Sequence, residues 1–90
     1  LPDAATLQLR LIEPRPVEVR IADGAPRLVG SPPQAVVELA GPWRVEEGWW
    51  TRATGGAPLS RDEYDVWLDD GSLLRIAREA DAWSIRGVYD

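Results

Sequence analysis

The chain contains no cysteine, no histidine, no methionine and no phenylalanine, and its ten basic residues are all arginine. Without cysteine there is no disulfide framework, no thiolate zinc site and no thiol nucleophile. Without histidine, a Ser-His-Asp triad and imidazole metal ligation are excluded as well. No run approaches the roughly 20 apolar residues that a membrane helix needs. The opening residues, Leu1 to Arg10, lack the basic start and apolar centre of a signal peptide. The expectation is a cytoplasmic protein without membrane contact. Because the chain starts Leu1-Pro2-Asp3 and holds no methionine, it is further expected to be a piece of a longer intracellular protein.

What is present sets the scale. The 90 residues suffice for one domain with one core and little stability to spare. The formal net charge is −5. Nucleic-acid affinity rests on cations that replace counterions on phosphates, so an acidic domain with scattered arginines is expected to meet protein before DNA.

Helical spacing is poor throughout, whereas alternation is good. Val17, Val19 and Ile21 interleave with Glu18 and Arg20, and Asp23-Gly24 offers a turn before Arg27-Leu28-Val29, which predicts a first hairpin. Gly30-Ser31-Pro32-Pro33 breaks the pattern. A new strand is predicted from near Ala35 through Val36, Val37 and Leu39 to a corner at Gly41-Pro42, and alternation resumes at Trp43. Thr51 to Ser60, with Gly55-Gly56 and Pro58, reads as a loop and the most flexible one. Residues 1–14 are expected to be a linker or an opening strand, with a possible strand over Leu7–Ile12, and 15–90 a single β domain.

In the C-terminal third, turn chemistry and polarity agree on one register. A three-residue loop Asp69-Asp70-Gly71, with Gly71 in the left-handed region, sets Leu68 opposite Ser72, Val66 opposite Leu74 and Tyr64 opposite Ile76. The other face then holds Asp65 against Arg75 and Trp67 against Leu73. A turn near Ala80-Asp81 sets Ile76 against Ile85, Arg78 against Trp83 and Arg75 against Arg86, giving a row Asp65, Arg75, Arg86 on the wet face. Strands joined by short turns, with no covering helix, imply an all-β antiparallel meander curled into an open, SH3-like barrel.

Five tryptophans could each fill a core or offer a docking surface. Trp43 and Trp83 are expected in the core. Trp49 and Trp50 are neighbours, so one of them must face out. Trp67 lands on the wet face; for it and for one of the pair, a docking role and a plain surface position both fit. The acidic residues match no EF-hand loop, Gly55-Gly56 lacks the lysine of a phosphate-binding loop, and neither a metal site nor a cofactor is expected. No catalytic constellation is visible.

From Gly41 onward, the runs Gly41-Pro42-Trp43-Arg44-Val45, Gly48-Trp49-Trp50, Arg61-Asp62-Glu63-Tyr64-Asp65-Val66 and Trp83-Ser84-Ile85-Arg86-Gly87-Val88-Tyr89-Asp90 resemble the C-terminal region of ImuB-type proteins, Y-family DNA polymerase homologues of bacterial mutagenesis cassettes. Pro14 to Val19 with the Asp23-Gly24 turn is similar to the segment that joins the polymerase-like body to this ending. The resemblance implies a non-catalytic accessory role in translesion synthesis and DNA-damage-induced mutagenesis. In the family, the polymerase-like protein links a sliding clamp, a RecA-like accessory protein and an error-prone C-family polymerase. No palm, fingers or clamp-binding peptide lies in this chain, so no catalytic position carries over. The expected docking surface centres on Trp67, Leu73 and Arg75, with Trp50 and Arg86 beside them, since tryptophan and arginine are frequent interface anchors. The alternatives are a nucleic-acid-binding module that helps hold primer-template DNA and a structural cap on the polymerase-like body.

Overall fold

A computed structural model describes residues 8–50 and 58–89; of residues 47–50, 58 and 59 it describes the backbone alone. Seven strands follow in order: β1 (Leu9–Pro16), β2 (Val19–Ala22), β3 (Ala25–Val29), β4 (Gln34–Trp50), β5 (Pro58–Leu68), β6 (Leu73–Glu79) and β7 (Ala82–Tyr89). They form one antiparallel sheet of order β1-β7-β6-β5-β4-β3-β2. The protein is therefore all-β, a meander from β2 to β7 onto whose last strand β1 folds back. Among the described residues there is no helix, and so none long and apolar enough to cross a membrane.

The sheet is open, since no ladder joins β1 to β2, yet its ends meet. Only Val17 and Glu18 separate the two outer strands, a gap of about 10 Å even at full stretch. The Val17 N–H donates to the Trp83 carbonyl, and the Glu18 carbonyl accepts from the Gly30 N–H. Successive residues of an extended chain point their backbone groups to opposite sides, so β7 and β3 flank this crossing from its two sides. The curl wraps one core of Val29, Tyr64, Val66, Leu68 and Ile76, packed by Val17 and Val19 at one end of the sheet and Trp83 and Ile85 near the other.

Turn chemistry sets the local geometry much as the sequence predicts. Asp23 and Gly24 both take positive φ (54° and 76°), the two-residue turn whose twist suits a hairpin. At the β5–β6 loop Gly71 has φ 90°, the Leu68 N–H donates to the Ser72 carbonyl, and Val66↔Leu74, Tyr64↔Ile76, Asp65↔Arg75 and Trp67↔Leu73 pair across the hairpin. The Asp70 carboxylate accepts the Ser72 N–H at 2.9 Å, which lowers the Asp70 pKa from its ordinary value.

Four expectations need correction. The corner at Gly41-Pro42 is not a strand end: β4 runs through it, with Ala40↔Asp65 and Trp43↔Glu63 leaving both residues opposite Tyr64. That bulge flips the alternation, so Trp43, which would otherwise share the inward face of Leu39, turns out of the core and is 44% exposed. A second bulge, on β7, sets Arg75 against Gly87 and Ile76 against Ile85, so Arg86 does not oppose Arg75. Its cause is spacing: Ile85 and Val88 lie three apart, and the extra residue sets each opposite an inward-facing residue of β6, Ile76 and Leu74. Finally, β5 begins at Pro58, inside the expected loop; residues 51–57 of that loop lie outside the described residues.

Candidate functional site

The β5–β6 hairpin presents two faces, and the outer one carries charge. Asp65 and Arg75 stand directly opposite each other. The Arg75 Nε donates to Asp65 Oδ1 at 2.9 Å and its Nη2 to Oδ2 at 3.1 Å, a two-pronged guanidinium–carboxylate contact. Tyr89, on the neighbouring β7, closes the triangle: its hydroxyl accepts from Arg75 Nη2 at 2.9 Å and donates to Asp65 Oδ2 at 2.7 Å. The hydrogen bonds to Asp65 raise the Arg75 pKa further above its already high ordinary value. Burial, and then the hydrogen bond to Asp65, raise that of Tyr89.

Aromatic rings frame this clamp. The Arg75 guanidinium carbon lies 5.6 Å from the centre of the Trp43 ring and 5.9 Å from that of Tyr89, within cation–π range. Gly87, opposite Arg75, makes room at the other side: a Cβ there would lie 2.6 Å from Leu9 Cδ1, so the absent side chain lets β1 close over β7. Leu11, on the same face of β1 as Gly87, is 71% exposed. The outer face thus joins an exposed tryptophan, a fixed cation and an exposed leucine.

Of the expected docking residues, Arg75 is at the centre of this cluster. Trp67 is half-buried beside it on the same face, and its Nε1–H is enclosed without an acceptor among the described residues. Leu73 opposes Trp67 as expected but is only 3% exposed, so it presents no surface. Arg86 stands apart, bonded to Ser84 Oγ at 3.2 Å and Glu79 Oε2 at 3.4 Å. The Trp50 backbone pairs with Pro58 at the end of β4, and its side chain lies outside the described residues. Sequence reasoning missed Trp43 and Tyr89. The glycine-proline pair ahead of Trp43 was the available signal for a bulge.

On the inner face, at the open end beyond Tyr64, a row Arg44, Asp62, Arg78 crosses three strands. Arg44 bonds Asp62 at 2.7 Å, and Arg78 stacks over Trp83 at 5.8 Å. With Arg61 and Ser60 they line a groove of about 240 Å³. No three carboxylates gather at ion-binding distance among the described residues.

Fold and site together define a class: a small, open all-β domain whose outer face carries an arginine clamp against an exposed tryptophan. No family model, no curated protein and no solved structure matches the chain.

Proposed function

We propose that this chain is a non-catalytic docking domain of a Y-family polymerase-like protein, holding a protein partner during translesion synthesis, as the resemblance to ImuB C-terminal regions implies. The observation that carries the docking role is the exposed Trp43 ring set against an arginine that Asp65 and Tyr89 hold in place. A rigid aromatic–arginine pair loses little freedom on binding, which is what makes such pairs effective interface anchors. The candidate partners are the RecA-like accessory protein, the C-family polymerase and the clamp, the last reached through other parts of the parent. Pull-downs with the parent protein carrying Trp43→Ala test the reading. Loss of one partner, with the domain still folded, supports it; retention of all three rejects the outer face as the interface.

A second reading has one observation behind it, the arginine-bearing groove at Arg44 and Arg78. It predicts salt-sensitive binding of primer-template DNA. Both arginines already pair with carboxylates, Asp62 and Asp81, which lowers their attraction for phosphate. A fluorescence anisotropy titration at low salt decides this reading, and a flat curve disposes of it.

A further inference from the structure

The two outer strands of the sheet differ as edges. β1 carries Pro14 and Pro16, which supply no N–H and blunt an edge. β2 has no proline, and among the described residues it pairs on one side only, with β3.

Its outward groups follow from the register. The Glu18 carbonyl accepts from Gly30, and Arg20 pairs with Leu28, so even-numbered residues turn their backbone toward β3. The Ala22↔Ala25 pair around the two-residue turn keeps the same parity. Val19 and Ile21 therefore point their N–H and C=O groups away from the sheet. On the side-chain faces, Val19 packs on the core and Ile21 continues its face, 44% exposed. Between them Arg20 projects to the other face, exposed and without an ion-pair partner among the described residues.

We infer that β2 is a strand-addition site that takes an extended segment of a partner protein with the pattern apolar–acidic–apolar. The segment would exchange backbone hydrogen bonds with Val19 and Ile21, cover Ile21 with an apolar side chain, and set its carboxylate opposite Arg20. A second copy of this chain fits less well. Self-pairing that uses both outward residues opposes Arg20 to Arg20 of the other copy. Pairing centred on Val19 sets Ile21 against Val17, whose N–H is bonded to Trp83, and pairing centred on Ile21 sets Val19 against the Asp23 turn. This inference rests on the docking reading and gives it an edge and a partner chemistry; the Trp43→Ala pull-down reports on the outer face alone, so the two fail separately.

The test is an amide-resolved NMR titration of the chain with a capped peptide Thr-Val-Glu-Val-Thr and its counterpart Thr-Val-Lys-Val-Thr. A segment this short is expected to bind at about millimolar Kd. The glutamate peptide should shift and protect the amides of Val19 to Ala22, and bind about fivefold more tightly than the lysine peptide. Arg20→Glu should invert that preference, and Ile21→Pro, which removes an outward N–H that β3 does not use, should abolish binding. Shifts confined to other strands, no shifts at about 5 mM peptide, equal binding of the two peptides, or self-association through β2 would each overturn the inference.

Discussion

Replacing Arg75 by methionine keeps much of the side-chain volume and removes the cation. Asp65 would then lose both guanidinium hydrogen bonds in a site where its side chain is 14% exposed, with the Tyr89 hydroxyl as its one remaining donor of the triangle. Exposed ion pairs contribute about 0–1 kcal/mol, and breaking a buried one costs about 3–5 kcal/mol. The Arg75 side chain is 24% exposed, which places this pair between the two limits, so Arg75→Met should destabilise by about 2 kcal/mol. In a domain of this size that lowers Tm by about 8–16 °C. Most of the loss comes from the stranded carboxylate and not from the missing attraction. Asp65→Leu added to Arg75→Met should therefore recover about 1 kcal/mol. Urea denaturation of the wild type, both single variants and the double closes the cycle. Free-energy losses that add to within about 0.3 kcal/mol would show that the two side chains do not act as a unit, and would refute the reasoning.

Further outcomes follow from backbone and titration. Gly41 has φ 105°, and a Cβ there would lie 2.8 Å from the Glu63 carbonyl oxygen and 3.2 Å from the Trp43 ring, so Gly41→Ala should cost about 2–4 kcal/mol in urea unfolding. Ala80 takes φ 54° in the β6–β7 turn, where glycine is unstrained, and Ala80→Gly should stabilise by about 0.5–1 kcal/mol, read as a raised Tm. The Tyr89 pKa is raised in the folded chain by burial and by Asp65. Its contribution to stability is then fully present below its ordinary value of 10.0 and lost as pH rises through the higher folded value. Urea midpoints from about pH 8 to about 11 should fall more steeply for the wild type than for Tyr89→Phe, and parallel curves would contradict the shift.

The legible parts of the fold were those where local chemistry decides. Asp23-Gly24 and Asp69-Asp70-Gly71 each fix a turn, a turn fixes a register, and one register alone gathers Tyr64, Val66, Leu68, Leu74 and Ile76 on one face. Such arguments fail where a strand gains a residue, because alternation beyond that point inverts without any change in composition. Trp43 was expected inside for this reason, and Arg86 was expected beside Arg75. Leu73 failed differently. Its partner and face were right, but burial depends on what lies over a face, and a single sequence does not show that.

Of the bulges in the sheet, the one at Gly41-Pro42 and the one on β7 act on the same guanidinium. With a regular β4, Trp43 would share the inward face of Leu39 and Tyr89 alone would set a ring against Arg75. With a regular β7, Arg86 would oppose Arg75, and a second cation would compete for Asp65 at the cost of like-charge repulsion. The bulge puts Gly87 there instead, and Leu9 closes over it while Tyr89 reaches Asp65. One irregularity thus supplies a second aromatic partner beside Tyr89 and the other removes the competing charge, on strands that flank the hairpin from opposite sides. A sheet selected for stability alone gains nothing from turning a tryptophan out of its core. The β7 bulge has its cause in the core, where it sets Ile85 and Val88 inward, and its effect on the outer face is to leave Gly87 opposite Arg75; the β4 bulge has its effect there directly, by setting the Trp43 ring against the same guanidinium.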